Sequence, residues 1–435
     1  MKISKLHIDQ FRHLENLDFD FTYQDGERKG QPLDKICFIG QSATGKTGLL
    51  ELIFDSLKQA MTTQAIGDKF MNSEEISFNG EINFLFNKTS YQFKNNEIYF
   101  GKQKYISSGP DDIKKLEELN ELAYDFIIPG DLIKDFFYFK ANLINDSNIN
   151  ILTSNPVDLI EKHSKELKDI TDYYVNTNYG LIFGDDPDYK IWLYLLHDIL
   201  EYRKNFTQKM SELIHKGLIA DAKKLGLEFQ KWQKSNPNQL DVFAEKFNPI
   251  LKKLNLEVDL INTEYSIPIK NKKNDEVIPI QNISTGTKGL LLSFLPLFKL
   301  NTKDCIVLID EPERSLYPDM QMDLMDYYQN LAPKAQIITA THSPFIAASF
   351  EPDERFILHF DKEGKVAVRR GSSPIGDDPN DMLKNDFGVN YYNKHGEEAY
   401  QKYINLKQQV ANETDPKKKK ELILETVKLG DTYNF

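Results

Sequence analysis

Cysteine is almost absent from this chain: Cys37 and Cys305 are the only two in 435 residues. Both lie inside apolar, strand-like runs, so they read as small buried hydrophobes, not as a disulfide or a metal pair. That excludes a disulfide-built extracellular scaffold and leads us to expect a reducing compartment. Long apolar runs are missing too. No stretch of 18 apolar residues occurs, and the opening MKISKLHIDQF has no apolar signal core. Neither a membrane span nor secretion is therefore expected. Positive charge is also short, with 54 Lys and Arg against 66 Asp and Glu, a net charge of −12. Nonspecific nucleic-acid affinity usually leaves a basic footprint, so the balance argues mildly against it and leaves a local basic face open. The expectation is a soluble, cytoplasmic protein with no membrane partner.

What is present is an ordinary globular composition, 40% hydrophobic and 28% charged, on a length that suits two or three domain-sized units. The chain is organised around Ile36–Leu50, ICFIGQSATGKTGLL. A short apolar β-run enters Gly40, and Gln41, Ser42, Ala43, Thr44, Gly45, Lys46 and Thr47 complete a G-x-x-x-x-G-K-[ST] phosphate loop. Leu49, Leu50, Leu52 and Ile53 then begin a helix. In such a loop, backbone N–H groups curl around phosphates and the helix N-terminus adds partial positive charge. Lys46 is expected on the outer phosphates and the Thr47 hydroxyl on Mg²⁺. The chain is expected to bind a nucleoside triphosphate.

Residues 1–23 alternate as a β-hairpin, with Arg12 at its turn, open to reading either as a surface arginine or as a phosphate contact. Ile76–Ser107 alternates again, with Asn-Gly, Asn-Lys and Asn-Asn as turn signals, and predicts an antiparallel sheet. From Asp111 to Leu256 the pattern is helical and charged, including Ile113–Leu122, Asp158–Tyr174, the apolar block Ile191–Leu196 and an amphipathic helix over Phe206–Leu227. Sustained heptads are absent, so the span reads as a compact helical lobe. His163, His197 and His215 lack ligand spacing.

Residues 257–281 return to β, and then ISTGTKGLLL places Ser284, Gly286, Thr287 and Lys288 at the start of an apolar helix, a second anion site. Cys305–Glu311 is a continuous apolar run ending in two acids, as expected of a strand buried in a parallel sheet with carboxylates at its ligand-facing end. Asp310 is placed to hold the Mg²⁺ shell and Glu311 to polarise the attacking water. Ala335–Ser343 repeats the pattern and ends in His342, which suits the γ-phosphate or the lytic water.

Five runs in this order, ISKLHIDQFRHLENLDFDF, GQSATGKT, ISTGTKGLLL, IVLIDEPERSLYPDMQ and IITATHSPFIA, resemble an ABC-type ATPase of the branch that includes RecF, the SMC-like proteins and the OLD-family ATPases. The resemblance implies an α/β fold: a P-loop head with an antiparallel β lobe and a large inserted helical lobe. It also implies a head-to-tail dimer, or higher homo-oligomer, that sandwiches ATP and Mg²⁺ between Gly40–Thr47 of one copy and Ser284–Lys288 of the other. Glu311 would then be the catalytic carboxylate and His342 the switch histidine. Ser315–Asp319 would cross the seam, Asp310 and Thr47 would hold the metal, and Arg12 would contact nucleotide. The signature departs from the usual Ser-Gly-Gly-Gln, and Gln103 is a candidate Q-loop glutamine to which no role is assigned.

Within the branch, the likeness is to stand-alone ATPases of prokaryotic antiphage and restriction-associated systems, such as those of Septu and PARIS. These work with a separate nuclease or other effector. The expected organisation is 1–110 and 257–370 as the two parts of the head, 111–256 as the helical insertion and 371–435 as a helical tail. The expected function is an ATP-hydrolysing switch with an effector partner, and DNA stands as a further candidate ligand. A RecF-like repair ATPase, a transporter subunit and a self-contained nuclease using Asp377 or Asp378 are the competing readings.

Overall fold

Alternation along the first strands follows from which face is buried. Ile3, Leu6, Ile8 and Phe11 of β1 (Lys2–Phe11) and Leu14, Leu17 and Phe19 of β2 (Leu14–Asp20) turn inward. Arg12 takes a left-handed φ of 54° in the tight turn between them. The structure, a computed structural model, describes residues 1–65, 78–86, 89–94, 97–100, 103–105, 136–167, 180–184, 189–389, 394–433 and 435. The chain divides into two compact units, Met1–Gly376 and Asp377–Phe435.

In the first unit the hairpin continues into β4 (Asn79–Phe86), β5 (Thr89–Lys94), β6 (Glu97–Phe100) and β7 (Gln103–Tyr105). They form an antiparallel sheet of order β2-β1-β4-β5-β6-β7. Asn79-Gly80, expected as a turn, instead opens β4 beside β1, with a register shift between Ile8 and Gln10. Asn-Lys 87–88 and Asn-Asn 95–96 lie outside the described residues.

The central sheet has the order β16-β15-β3-β14-β13-β8-β9. Its strands are β3 (Lys35–Gly40), β8 (Phe136–Phe139), β9 (Leu181–Phe183), β13 (Ile306–Asp310), β14 (Gln336–Thr341), β15 (Arg355–Phe360) and β16 (Val366–Arg370). All pairings are parallel except β15 with β16. Both faces are covered, so β13 and β14 are buried throughout, which is why their sequences read as unbroken apolar runs. The two sheets share one core. Phe19 and Phe21 meet Phe38 of β3 and Phe356 of β15 at ring-centroid distances of 5.0 to 6.0 Å, mostly edge-to-face. Buried Gln336 locks the sheets together: it accepts the Ile3 N–H at 2.7 Å and donates to the Ile3 and Leu33 carbonyls at 2.9 and 2.8 Å.

Strands β8 and β9 come from within the span read as helical, so 111–256 is not helical throughout. β8 joins the sheet by pairing with β13 and β9 by pairing with β8, which a four-residue aromatic run does not announce. The helices there are Asp146–Thr153, Pro156–Lys162, Tyr189–His215, Ala222–Ser235 and Gln239–Lys253. Asn145, Asn155, Asp221 and Asn238 cap the N-termini of four of them with side-chain oxygens. The single helix expected over Phe206–Leu227 is two, broken at Gly217. Ile113–Leu122 and the end of Asp158–Tyr174 lie outside the described residues. Strands β10 (Leu256–Val258), β11 (Ile269–Asn271) and β12 (Val277–Ile278) form a small antiparallel sheet. It leads into the helix Thr285–Lys299, whose last residue, Lys299, pairs with Asp198. Hydrogen bonding from His197, together with Lys299, holds the Asp198 carboxyl down at about 2.

The second unit holds a short helix, Pro379–Asn385, and a hairpin of Lys394–Asn412 and Pro416–Tyr433. Ala399 and Leu406 are buried, and Tyr400, Tyr403 and Tyr433 surround Phe435 at 5.4 to 5.6 Å. Among the described residues no helix is long and apolar enough to cross a membrane.

Candidate nucleotide site

Parallel pairing of β3, β13 and β14 brings Gly40, Asp310 and Thr341 to one edge of the sheet, the carboxyl edge where open α/β sheets bind ligands. Gly40–Thr47 turns there from β3 into the helix Lys46–Ala65. Thr44 steadies the loop by donating its hydroxyl to the Gln41 carbonyl at 2.8 Å. Gly45 must be glycine: its φ is +91°, and a Cβ would lie 2.9 Å from Leu14 and 3.2 Å from the His13 imidazole. The β1–β2 turn is thus packed directly on the phosphate loop. Arg12 sits beside the same helix start, but its guanidinium is bonded to Glu51 at 2.7 Å and is largely exposed.

Lys46 is buried and folds back over its own loop, donating to the Gly40 and Gln41 carbonyls at 2.9 Å each. Burial lowers its ammonium to about 8, against the pull of Asp310, Glu311 and Glu313. Thr47 donates its hydroxyl to Asp310 at 2.9 Å. Asp310 is raised to about 6, chiefly by burial, with Thr47 opposing and Glu311 and Glu51 adding to the rise. Three carboxylates therefore face one ammonium. The Thr47 hydroxyl and Asp310 carboxylate are the oxygen donors a hard divalent cation takes.

Glu311 follows β13 in a left-handed conformation, φ 48°, with its N–H on the Ala340 carbonyl at 2.9 Å. Such backbone strain concentrates at functional sites. His342 follows β14; its imidazole is lowered by partial burial and by Lys46, with Glu311 opposing. Two residues not singled out in the sequence join these loops. Glu313, raised by burial, accepts the His342 N–H at 2.9 Å and so fixes the switch loop to the acid loop. Gln321 accepts the Ser343 hydroxyl at 2.6 Å and donates to the Leu316 carbonyl at 2.7 Å.

Ser284 caps the helix Thr285–Lys299, accepting the Thr287 N–H at 3.2 Å and meeting its hydroxyl at 2.7 Å. Lys288 donates to the Gln281 carbonyl at 2.7 Å. A Cβ on Gly286 would stand 2.4 Å from the Ser315 carbonyl, so this helix and the loop 315–319 are pressed together. Among the described residues, no hydrogen bond joins Ser284–Lys288 to Gly40–Thr47 of the same chain. Gln103 lies at the start of edge strand β7. Instead, the segment after β8 reaches the site: Lys140–Ile144 line a cavity of about 200 Å³ with Asp310, Glu311 and Gly286, and Asn142 accepts from Arg314.

Gln321 is therefore a positioning residue between the switch loop and the 315–319 loop. Gln321→Ala is expected to lower the ATPase kcat about tenfold with KM for ATP nearly unchanged. Folding stability should drop by only about 1 kcal/mol, the value of a hydrogen bond. Steady-state kinetics beside a thermal melt checks this; a rise in KM alone would deny the coupling.

Fold and site define a P-loop protein: a phosphate loop and an acid-ended neighbouring strand on one parallel sheet, with His342 following the strand between them. The chain belongs to the AAA ATPase domain family, whose model matches residues 1–347. Two curated proteins are similar over parts of their length. The Septu protein PtuA of Bacillus thuringiensis is 33% identical over 72 residues, 17% of this chain and 18% of PtuA. Protein MJECL43 of Methanocaldococcus jannaschii is 24% identical over 140 residues, 29% of this chain and 36% of that protein. The chain thus matches well under half the length of either. Solved structures with a similar chain course include the Pyrococcus furiosus Smc head domain with an extended coiled coil, bound to the C-terminal domain of ScpA. It shows 16% identity over 85% of this chain and 96% of that one, with a TM-score of 0.40. The SMC head domain of Thermotoga maritima shows 13% identity over 86% and 100%, with a TM-score of 0.39.

Proposed function

We propose that this ATPase is the switch subunit of a prokaryotic antiphage or restriction-associated system, pairing head to tail with a second copy on ATP and acting on a separate nuclease or other effector. The observation that carries the pairing is the split site. The helix start at Ser284–Lys288 is capped and pinned to the 315–319 loop, yet it shares no hydrogen bond with the phosphate loop of its own chain. A second copy is the partner that would complete it.

In this reading Gly40, Gln41, Ser42, Ala43, Thr44 and Gly45 cradle the phosphates, and Lys46 leaves its loop carbonyls for the outer ones. Thr47 and Asp310 would hold Mg²⁺, which supplies charge neutralisation at the β- and γ-phosphates. Glu311 orients and deprotonates the attacking water, and His342 donates to the γ-phosphate. Ser284, Gly286, Thr287 and Lys288 meet that phosphate from the partner copy. Arg12 would have to leave Glu51 to reach nucleotide. Departure of the γ-phosphate frees His342, and Glu313 and Gln321 pass the change to the seam.

The local likeness to the Septu protein PtuA favours the defence-system reading and with it a separate effector. The test is the native mass of the full chain in Mg²⁺ with ATP and with ADP, alone and pulled down from native host extract. ATP is expected to double the mass, and a nuclease chain is expected to co-purify and to be released or activated on hydrolysis. A homo-oligomer that ignores the nuclease and hydrolyses ATP faster with DNA would move the protein to RecF-like repair.

A further inference from the structure

The helix Pro416–Tyr433 closes one face onto Lys394–Asn412, where Gly430 lies against Tyr403. Its other face carries apolar side chains that the hairpin does not use. Ile423, Leu424 and Val427 are 43%, 61% and 53% exposed. Lys420, Leu424, Val427 and Asp431 follow one another at spacings of four, three and four. At 3.6 residues per turn these form one straight stripe, and the spacing is that of a coiled-coil seam. The stripe is basic at its start, apolar in its middle and acidic at its end. Among the described residues neither Lys420 nor Asp431 has an ion-pair partner; the pair the hairpin does make across its helices is Lys402–Glu425.

We propose that this stripe docks antiparallel on the same stripe of a second copy. The pattern is self-complementary about a twofold axis passing between Glu425 and Thr426. Turned about it, Lys420 falls opposite Asp431, Leu424 falls opposite Val427, and the reverse pairs follow by symmetry. A parallel pairing would instead set Lys420 against Lys420 and Asp431 against Asp431. Antiparallel seams pair unlike heptad positions across the interface, which is the register the two charges select. The apolar contact is a few side chains per copy, well below the roughly 800 Å² per partner of a stable complex, so the association is reversible. It needs no nucleotide and is separable from the ATP-driven pairing of the heads. Where both operate, it would hold two copies near one another between rounds of hydrolysis and raise their effective concentration.

The test is sedimentation velocity of the full, nucleotide-free chain over a wide concentration range, with helicity followed by circular dichroism. A concentration-dependent monomer–dimer shift is expected. Lys420→Glu and Asp431→Lys should each weaken it about fivefold or more, the effect of disturbing two exposed ion pairs. The double variant K420E/D431K should restore it, because the pair is rebuilt with reversed polarity. Leu424→Glu should remove it while leaving ATP-dependent doubling of the mass in place. An association unchanged by the single swaps, or one that the double swap weakens further, would overturn the proposal. Loss of ATP-dependent doubling with the swap pattern intact would overturn only the head pairing.

Discussion

Glu311→Gln is expected to cut ATP turnover about 10²- to 10³-fold, the usual contribution of a positioned general base, while ATP binding is kept or tightened. The left-handed backbone at Glu311, held by its N–H on the Ala340 carbonyl, aims the side chain off the end of β13. There its charge is felt by both Lys46 and His342. Glutamine keeps the shape and the backbone bond and removes the proton acceptor. It also removes one of three negative charges facing Lys46, which lowers repulsion toward a polyphosphate. The measurement is a single-turnover assay beside the mass of the ATP-loaded protein: a slow chemical step with a persistent ATP-bound dimer is the expected pair of results. Turnover surviving in Glu311→Gln would transfer the role to a neighbour, and Glu313 is the control. Its carboxylate is buried and committed to the His342 N–H, so Glu313→Gln should act through the switch loop and not through the base.

The chemistry of this site was legible where it lies in contiguous residues. A phosphate loop must be one run, because successive backbone N–H groups face one anion, so Gly40–Thr47 could be read directly. A strand buried on both faces and ending in acids must also be one run, and Ile306–Glu311 announced both the parallel sheet and the ligand edge. Asn79-Gly80 misled because the dipeptide that favours a two-residue turn also fits a strand start beside a register shift. The aromatic run Phe136–Phe139 is too short to show a period, and its strand character comes from pairing with β13. That pairing then delivers Lys140–Asn142 to the acid loop, a result no local pattern holds.

Glu313 and Gln321 were missed for a related reason. Their partners lie 29 and 22 residues away in the chain, and a single glutamate or glutamine in a loop carries no spacing signal. Gln336 is the same case in the fold. A polar residue opening an apolar strand looks like a boundary, yet it is buried and bonded to two other segments. The sequence thus showed the loop and strand ends that the sheet gathers at one edge and hid the groups that connect them.

Asp310→Asn is expected to do two opposite things, and the pair identifies the residue as a cation ligand. It should abolish Mg²⁺-dependent ATP hydrolysis, since an amide is a poor substitute for a carboxylate on a hard cation. It should also make the nucleotide-free protein more stable. Asp310 has its folded pKa raised from an ordinary 3.8 to about 6, mainly by burial. A carboxyl raised on folding binds its proton more tightly in the native state, so stability falls as pH rises between those two values and stays reduced above the upper one. At neutral pH the buried charge costs on the order of 2 to 3 kcal/mol, which the amide avoids while still accepting the Thr47 hydroxyl. Thermal melts without nucleotide should therefore show the variant a few degrees above the parent at pH 7 to 8, with the gap closing toward pH 4. In the parent, Mg²⁺ with ATP should raise the melting temperature, and more so above pH 6, where the carboxylate is free to ligate; the variant should lose that gain. A variant less stable at every pH would mean that Asp310 is held in place by its charge and not waiting for a cation.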